Sequence, residues 1–131
     1  ELYEGPVDTF IARCVGESNL LGGTVASLAD GRATLAVERL PVPLEGRAAE
    51  GLRAGAPASA LLRPETVRAQ AGGLPARIVE RVYLGELVAV RLALASGHEL
   101  WSRRLAGEWA GGDTVEVGWD PGAVSILPNA S

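Results

Sequence analysis

The sequence has no lysine and no methionine, one cysteine, one histidine and six aromatic residues, three of them Trp. Each shortage removes a class of function. Without lysine there is no phosphate loop of the Gly-x-x-x-x-Gly-Lys-Ser/Thr kind. With Cys14 alone there is no internal disulfide and no multi-thiolate metal site, which agrees with a reducing compartment such as the cytoplasm. His98, in the "SGHEL" turn, has no second His or Cys to share a metal and is read as an exposed turn residue. No stretch approaches the roughly 18 apolar residues of a membrane helix, and no charged start leads into the apolar run of a signal peptide. All 12 bases are Arg against 16 acids, for a net charge of −4. That balance, with so few aromatics, argues against a nucleic-acid binder, which needs a basic track and stacking platforms. There is no nucleophile elbow and no Ser in a recognisable triad setting, so no catalytic residue is expected. Methionine is missing from the first position too, where the chain opens "ELYEGPVDTFIARCVGESNLLGG", and the expectation is a piece of a longer protein.

What is present is a chain of 131 residues, 47% hydrophobic, with 17 Gly and 8 Pro breaking its apolar runs into short pieces. That pattern predicts a mainly β, turn-rich domain large enough to bury a core without staples. Residues 1–18 are the exception. From Pro6, apolar residues fall at Val7, Phe10, Ile11, Cys14 and Val15, at the threes and fours of a helix stripe. Pro6 suits the first turn, Asp8 the positive end of the dipole, and Gly16 the stop. A helix this short needs a partner for its stripe. Phe10, Ile11 and Cys14 pack either on the β region that follows or on something outside this chain, and Cys14 is read as a small packing residue rather than a nucleophile.

From residue 19 the period is 2. "GTVASLADGRATLAVE" reads as a hairpin around Asp30-Gly31, with Ala33, Leu35 and Val37 on one face and Arg32, Thr34 and Glu38 on the other. "ARIVERVYLGELVAVRLALASGHELWSRR" reads as a meander, with Ile78, Val82 and Leu84 and then Val88, Val90, Leu92 and Leu94 facing inward. Gly85 is placed at a bend or bulge and Ser96-Gly97 at a turn. In "GDTVEVGWDPGAVSILP", Val115, Val117 and Trp119 alternate with Thr114, Glu116 and Gly118 before a Pro-Gly turn. "PVPLEGRAAEGLRAGAP" reads as a connecting loop, with a helical turn around Ala48 to Leu52.

A faint duplication runs through the β region at an offset of 57 residues. Gly55, Ala58, Ala60, Leu62, Pro64 and Val67 correspond to Gly112, Val115, Val117, Trp119, Pro121 and Val124, and Val25 to Val82. The modules are placed at about 19–67 and 74–127, joined by "QAGGLP". Each alone is too small to bury a core, so the expectation is an OB-like or MOP-like barrel of two similar, interlocked modules.

Three side chains are candidate contacts. Arg63 and Glu65 flank a rigid Pro in "LLRPET"; Arg63 could hold a carboxylate or phosphate bidentately, or the two could form an ordinary ion pair. Trp109, in the glycine-rich "LAGEWAGGD", is read as a contact residue in a loop, and Trp119 as core. For a cationic ligand the candidate acids are Glu65, Glu80, Glu86 and Glu116.

The opening stretch, through Leu2, Tyr3, Pro6, Phe10, Ile11, Ala12 and Gly16, resembles the segment leading out of the nucleotide-binding core of bacterial ABC importer ATP-binding subunits. "LLRPETV", "RVYLGE" and "GDTVEVGWDPGAVSILP", in that order, are similar to the accessory TOBE (transport-associated OB) domain of those subunits. "VGESNLLGGTV" looks most like the polyamine (spermidine/putrescine) branch. The resemblance implies residues 1–18 as a junction from an ATPase domain and 19–131 as a regulatory and dimerisation domain. It implies a homodimer on the cytoplasmic face of the inner membrane, with an ATPase domain and permease subunits as partners and with ATP and Mg bound only by the larger subunit. In this stretch it implies no cofactor and no enzyme activity; an OB-type barrel also commonly serves oligonucleotides, a reading that the charge and the scarce aromatics speak against. A small solute, either an oxyanion or the transported polyamine, stays open as a ligand.

Overall fold

A computed structural model describes residues 18–109 and 111–129. The helix expected from Pro6 to Gly16, with Phe10, Ile11 and Cys14, lies outside them. The nine strands among the described residues separate into two compact units, one formed by Asn19 with Arg63–Trp119 and the other by Leu20–Leu62 with the segment from Asp120 onward.

The second of these units is a closed five-stranded barrel in the order β1 (Asn19–Ala29), β2 (Arg32–Ala36), β3 (Leu44–Ala48), β9 (Ser125–Pro128) and β4 (Pro57–Leu62). This is the strand order of a Greek-key OB barrel, with β1–β2, β2–β3 and β9–β4 antiparallel and β3–β9 parallel. β1 and β2 are joined by Asp30-Gly31, whose φ values of 53° and 76° are the left-handed pair that a tight hairpin requires. The amides of Val25 and Gly55 close the ring onto the carbonyls of Ala56 and Val25, at 2.9 and 2.8 Å. Ala33, Leu35 and Val37 are buried as their alternation predicts, together with Val25, Leu44, Ala58, Ala60, Leu62, Val124 and Ile126.

The stretch read as a loop contains a strand. The centre of β3 is Gly46, a residue whose local signal is that of a loop. Here the glycine is a packing device, since a Cβ on Gly46 would stand 2.8 Å from the carbonyl oxygen of Val124.

The first unit holds a four-stranded sheet in the order β7 (Glu99–Leu105), β6 (Leu87–Leu94), β5 (Arg68–Leu84) and β8 (Thr114–Gly118). Its core is Val67, Ala76, Ile78, Val88, Val90, Leu92, Leu100 and Val117. Leu84, expected inward, is exposed. Of bend and bulge, Gly85 takes the bend: it belongs to the tight turn between β5 and β6, in which Leu84 pairs with Leu87. Trp119, expected in the core, is half-buried.

The offset of 57 recurs among the elements. Pro64–Thr66 and Pro121–Ala123 are 3-10 turns closed by Val67 N–H to the Pro64 carbonyl and Val124 N–H to the Pro121 carbonyl. The pair Ala60–Ile126 in one unit has its counterpart in Val117–Ala69 in the other. β9 therefore follows the second module but completes the barrel built by the first, while the start of β5 follows the first module and pairs with β8 of the second. Without β9 the barrel would be left with β3 and β4 as open edges.

Candidate functional site

Arg63 and Glu65 flank Pro64 as expected, yet they do not pair with each other. Glu65 lies 3.5 Å from Arg103 of β7 and its backbone carbonyl accepts from Arg104, while the exposed Arg63 guanidinium makes no hydrogen bond or ion pair among the described residues. Arg104 donates to Glu108 at 2.6 Å, and the other oxygen of Glu108 accepts the Ala69 amide at 3.2 Å, tying the start of β5 to the segment after β7.

The acids considered for a cation are dispersed. Glu80 pairs with Arg91 at 3.1 Å, Glu116 accepts the amide of Gly72 at 3.0 Å, and Glu86 sits exposed at the β5–β6 turn. Among the described residues no three His, Cys, Asp or Glu side chains converge as a metal cage. His98 is half-buried, its Nδ1 2.6 Å from Ser96 Oγ.

Among the described residues Arg91 is the one cation whose proton affinity is shifted. Hydrogen bonds to Glu80 and then to Glu99 hold its pKa above the usual arginine value. A raised folded-state pKa adds stability that is fully present below the unfolded value and is lost only as pH rises through the folded one, so the titration of Arg91 itself adds no pH dependence below strongly alkaline conditions. All three side chains are substantially exposed. Arg91→Met is accordingly expected to cost about 1 kcal/mol or less and to lose most of that in high salt. Urea titrations at two ionic strengths check this; a cost of several kcal/mol would show the pairs to be more than surface contacts.

Trp109 is buried rather than held out in an open loop. It lies in a 3-10 turn, Ala106–Trp109, and is 3% exposed, because that turn folds back on the sheet instead of extending into solvent. Its indole Nε1–H is buried without a hydrogen-bond partner. Beside it, Arg81 of β5 donates from Nη1 to Asp113 at 2.9 Å and from Nη2 to the carbonyls of Gly112 and Trp109, at 2.9 and 3.2 Å. A cavity of about 440 Å³ opens here, lined by Arg81, Tyr83, Val88, Gly107, Trp109 and Gly112 among others, and a smaller one of about 110 Å³ shares Trp109 and Gly112. Sequence reading missed Arg81 because its partners lie about thirty residues away and two of them are backbone carbonyls. It also missed Asn19, whose side-chain amide bonds both the carbonyl and the amide of Trp101, at 2.8 and 2.7 Å, in the manner of a neighbouring strand.

With this geometry in view, the chain compares with known proteins as follows. The family model described as TOBE domain matches residues 60–127, just over half of the chain. The spermidine/putrescine import ATP-binding protein PotA of Methylococcus capsulatus is 32% identical over 140 residues, 98% of this chain and 36% of that protein. The PotA of Nitratidesulfovibrio vulgaris is 32% identical over 98% of this chain and 39% of its own length. The Fe(3+) ions import ATP-binding protein FbpC 1 of Rhizobium meliloti is 36% identical over 74% of this chain and 27% of its own length. The chain thus spans little more than a third of the curated relatives it matches over nearly its full length. Among solved structures, the molybdate-bound cytoplasmic molybdate-binding protein ModG superposes with a TM-score of 0.73 at 18% identity, over 85% of this chain and 96% of that one, a likeness of fold. The OB-like or MOP-like β fold expected from the sequence is the fold observed.

Proposed function

We propose a function from one fact: this chain belongs to the TOBE domain family. It acts as the regulatory and dimerisation domain of the ATP-binding subunit of an ABC importer, and the transported solutes are polyamines. What carries this reading is the likeness to spermidine/putrescine import ATP-binding proteins over 98% of the chain, whereas the iron-import relative matches over 74%. The domain works at the cytoplasmic face of the membrane, joined to an ATPase domain and permease subunits, and hydrolyses nothing itself. Dispersal of Glu65, Glu80, Glu86 and Glu116 over separate turns and strands supports a scaffold rather than a polyamine receptor, since a multivalent cation needs several acids at one place.

The test has two arms. Deleting the gene that encodes the chain is expected to abolish uptake of labelled spermidine and putrescine; intact polyamine uptake with lost ferric iron uptake would overturn the substrate class. Calorimetric titration of the chain with spermidine and putrescine is expected to give no saturable heat. Binding near one per chain would replace the scaffold with a solute-sensing domain. A second reading, an oxyanion sensor, draws on the shared fold with the molybdate-bound ModG structure. Saturable heat with molybdate or sulfate in the same titration would establish it.

A further inference from the structure

We propose that the segment ahead of the described residues, through its apolar stripe Val7, Phe10, Ile11, Cys14 and Val15, docks on a row of three exposed leucines in the four-stranded sheet. The inference does not rest on the transport reading. Leu84 of β5 stands opposite Leu87 of β6, and Leu87 opposite Leu105 of β7. Residues directly opposite on neighbouring strands share a face, so the three side chains lie side by side across the sheet. They are 42%, 37% and 62% exposed, whereas Val88, Val90 and Leu92 on the other face are buried.

The row is a bounded patch. Next to it on the same face come Val82, Ala89 and Arg103, and beyond these Glu80 and Arg91, which form an ion pair. The architecture does not call for leucines here. In the closed barrel the row beside the corresponding hairpin turn is Ala29, Arg32 and Arg47, paired in the same way across β1, β2 and β3. That row meets water with charges, so contiguous leucines at this place mark a surface that something covers.

Size and reach select the occupant. A stable interface between two copies takes about 20–30 residues a side, far more than this row and its neighbours supply. One helix stripe fits it better. Neighbouring strands lie about 4.8 Å apart, which makes the row about 10 Å wide, and Val7 to Val15 along a helix rises about 12 Å. The chain also enters the sheet at the matching edge. Asn19 is fixed to Trp101 of β7 by bonds of 2.8 and 2.7 Å, and β7 is the edge strand on which the row begins. Asn19 and these three strands belong to one compact unit. Trp101 to Leu105 is about 13 Å of strand, and the stretch from Asn19 back to Val15 spans up to about 14 Å. The stripe thus reaches the row on its own chain, with the high effective concentration of a tethered partner. Seated there, the segment couples its position to the β5–β6 hairpin and to β7, which a loose tether does not do.

Cys14 is the sole thiol of the chain and reports on the stripe directly. In the unaltered chain it is expected to react with a thiol reagent at least about tenfold more slowly than in urea, because a docked residue reacts only through local opening. Leu105→Asp or Leu87→Asp should restore the fast rate while the circular dichroism spectrum is kept. Undocking is local and precedes unfolding of the sheet, so it is read at Cys14 and not in a melt. Leu105→Cys then supplies one pair of thiols. Mild oxidation of a dilute sample should join them within the same chain at least about tenfold faster than in Glu99→Cys, whose site lies nearer to Trp101 along β7. Cys14 reacting as fast as in urea would overturn the docking. So would equal oxidation rates in the two variants, the mark of a roaming tether, or protection of Cys14 that survives both aspartates. A disulfide formed chiefly between chains, at a rate that rises with concentration, would overturn it in favour of a second copy on the row.

Discussion

Ile126→Ala is expected to destabilise the closed barrel by about 2–5 kcal/mol. Ile126 is fully buried on β9, the strand that pairs in parallel with β3 at Ala48 and antiparallel with β4 at Ala60. Both of those partners are alanines, too short to collapse into the space that the lost methyl and ethyl groups leave, so the cavity term adds to the lost transfer energy. β9 is also the strand on which closure depends, since without it β3 and β4 are both edges. Urea denaturation followed by circular dichroism measures the loss. Leu105→Ala, at a side chain 62% exposed, serves as the comparison and is expected to stay within about 0.5 kcal/mol. A cost below about 1 kcal/mol for Ile126→Ala would mean that the barrel is held elsewhere.

Gly73→Ala carries the second large effect, about 1–3 kcal/mol, through overpacking rather than loss. The strand β5 slips register where Ala69 and Leu74 both face Val117, and Gln70 to Gly73 lie between them. A Cβ on Gly73 would collide with the carbonyl of Val117 and stand 2.9 Å from that of Gln70. Backbone atoms of a paired strand cannot turn aside as a flexible side chain would, and Val117 itself is fully buried. The contrast is Gly22→Ala on β1, where an added Cβ meets nothing within 4 Å and φ is not left-handed. There the smaller entropy of the unfolded chain predicts a change between neutral and about 1 kcal/mol stabilising. Thermal melts of both variants, side by side, separate steric from entropic glycines. Equal behaviour of the two would reject the account.

Two glycines and two polar side chains mark where the sequence stops being legible. Gly46 and Gly73 look like loop residues because composition gives glycine a single local meaning, a break in periodic structure. What fixes them is the approach of Val124 in one case and Val117 in the other, strands distant along the chain. Neither Arg81 nor Asn19 carries a local signal that sets it apart from its neighbours in the sequence. Their roles come from backbone carbonyls and amides brought to them by folding, at Trp109, Gly112 and Trp101. Trp109 shows the same limit from the other side: neighbouring glycines place it in a loop, and only the turn Ala106–Trp109 decides that its ring is buried while its N–H finds no partner.

The sequence by itself determined the β character, the Asp30-Gly31 hairpin, the inward face of Ala33, Leu35 and Val37, and the 57-residue spacing of the Pro-containing turns. These are local properties, written in period-2 alternation and in the φ preferences of turn residues. Only the tertiary structure decided which module β9 completes, which glycines are packing devices, and that Arg81, Tyr83 and Trp109 share one cavity. Strand exchange leaves no local trace, because a swapped strand has the same alternation as one that stays with its own module. A cavity leaves none either, since it is made of residues whose only common property is where the fold puts them.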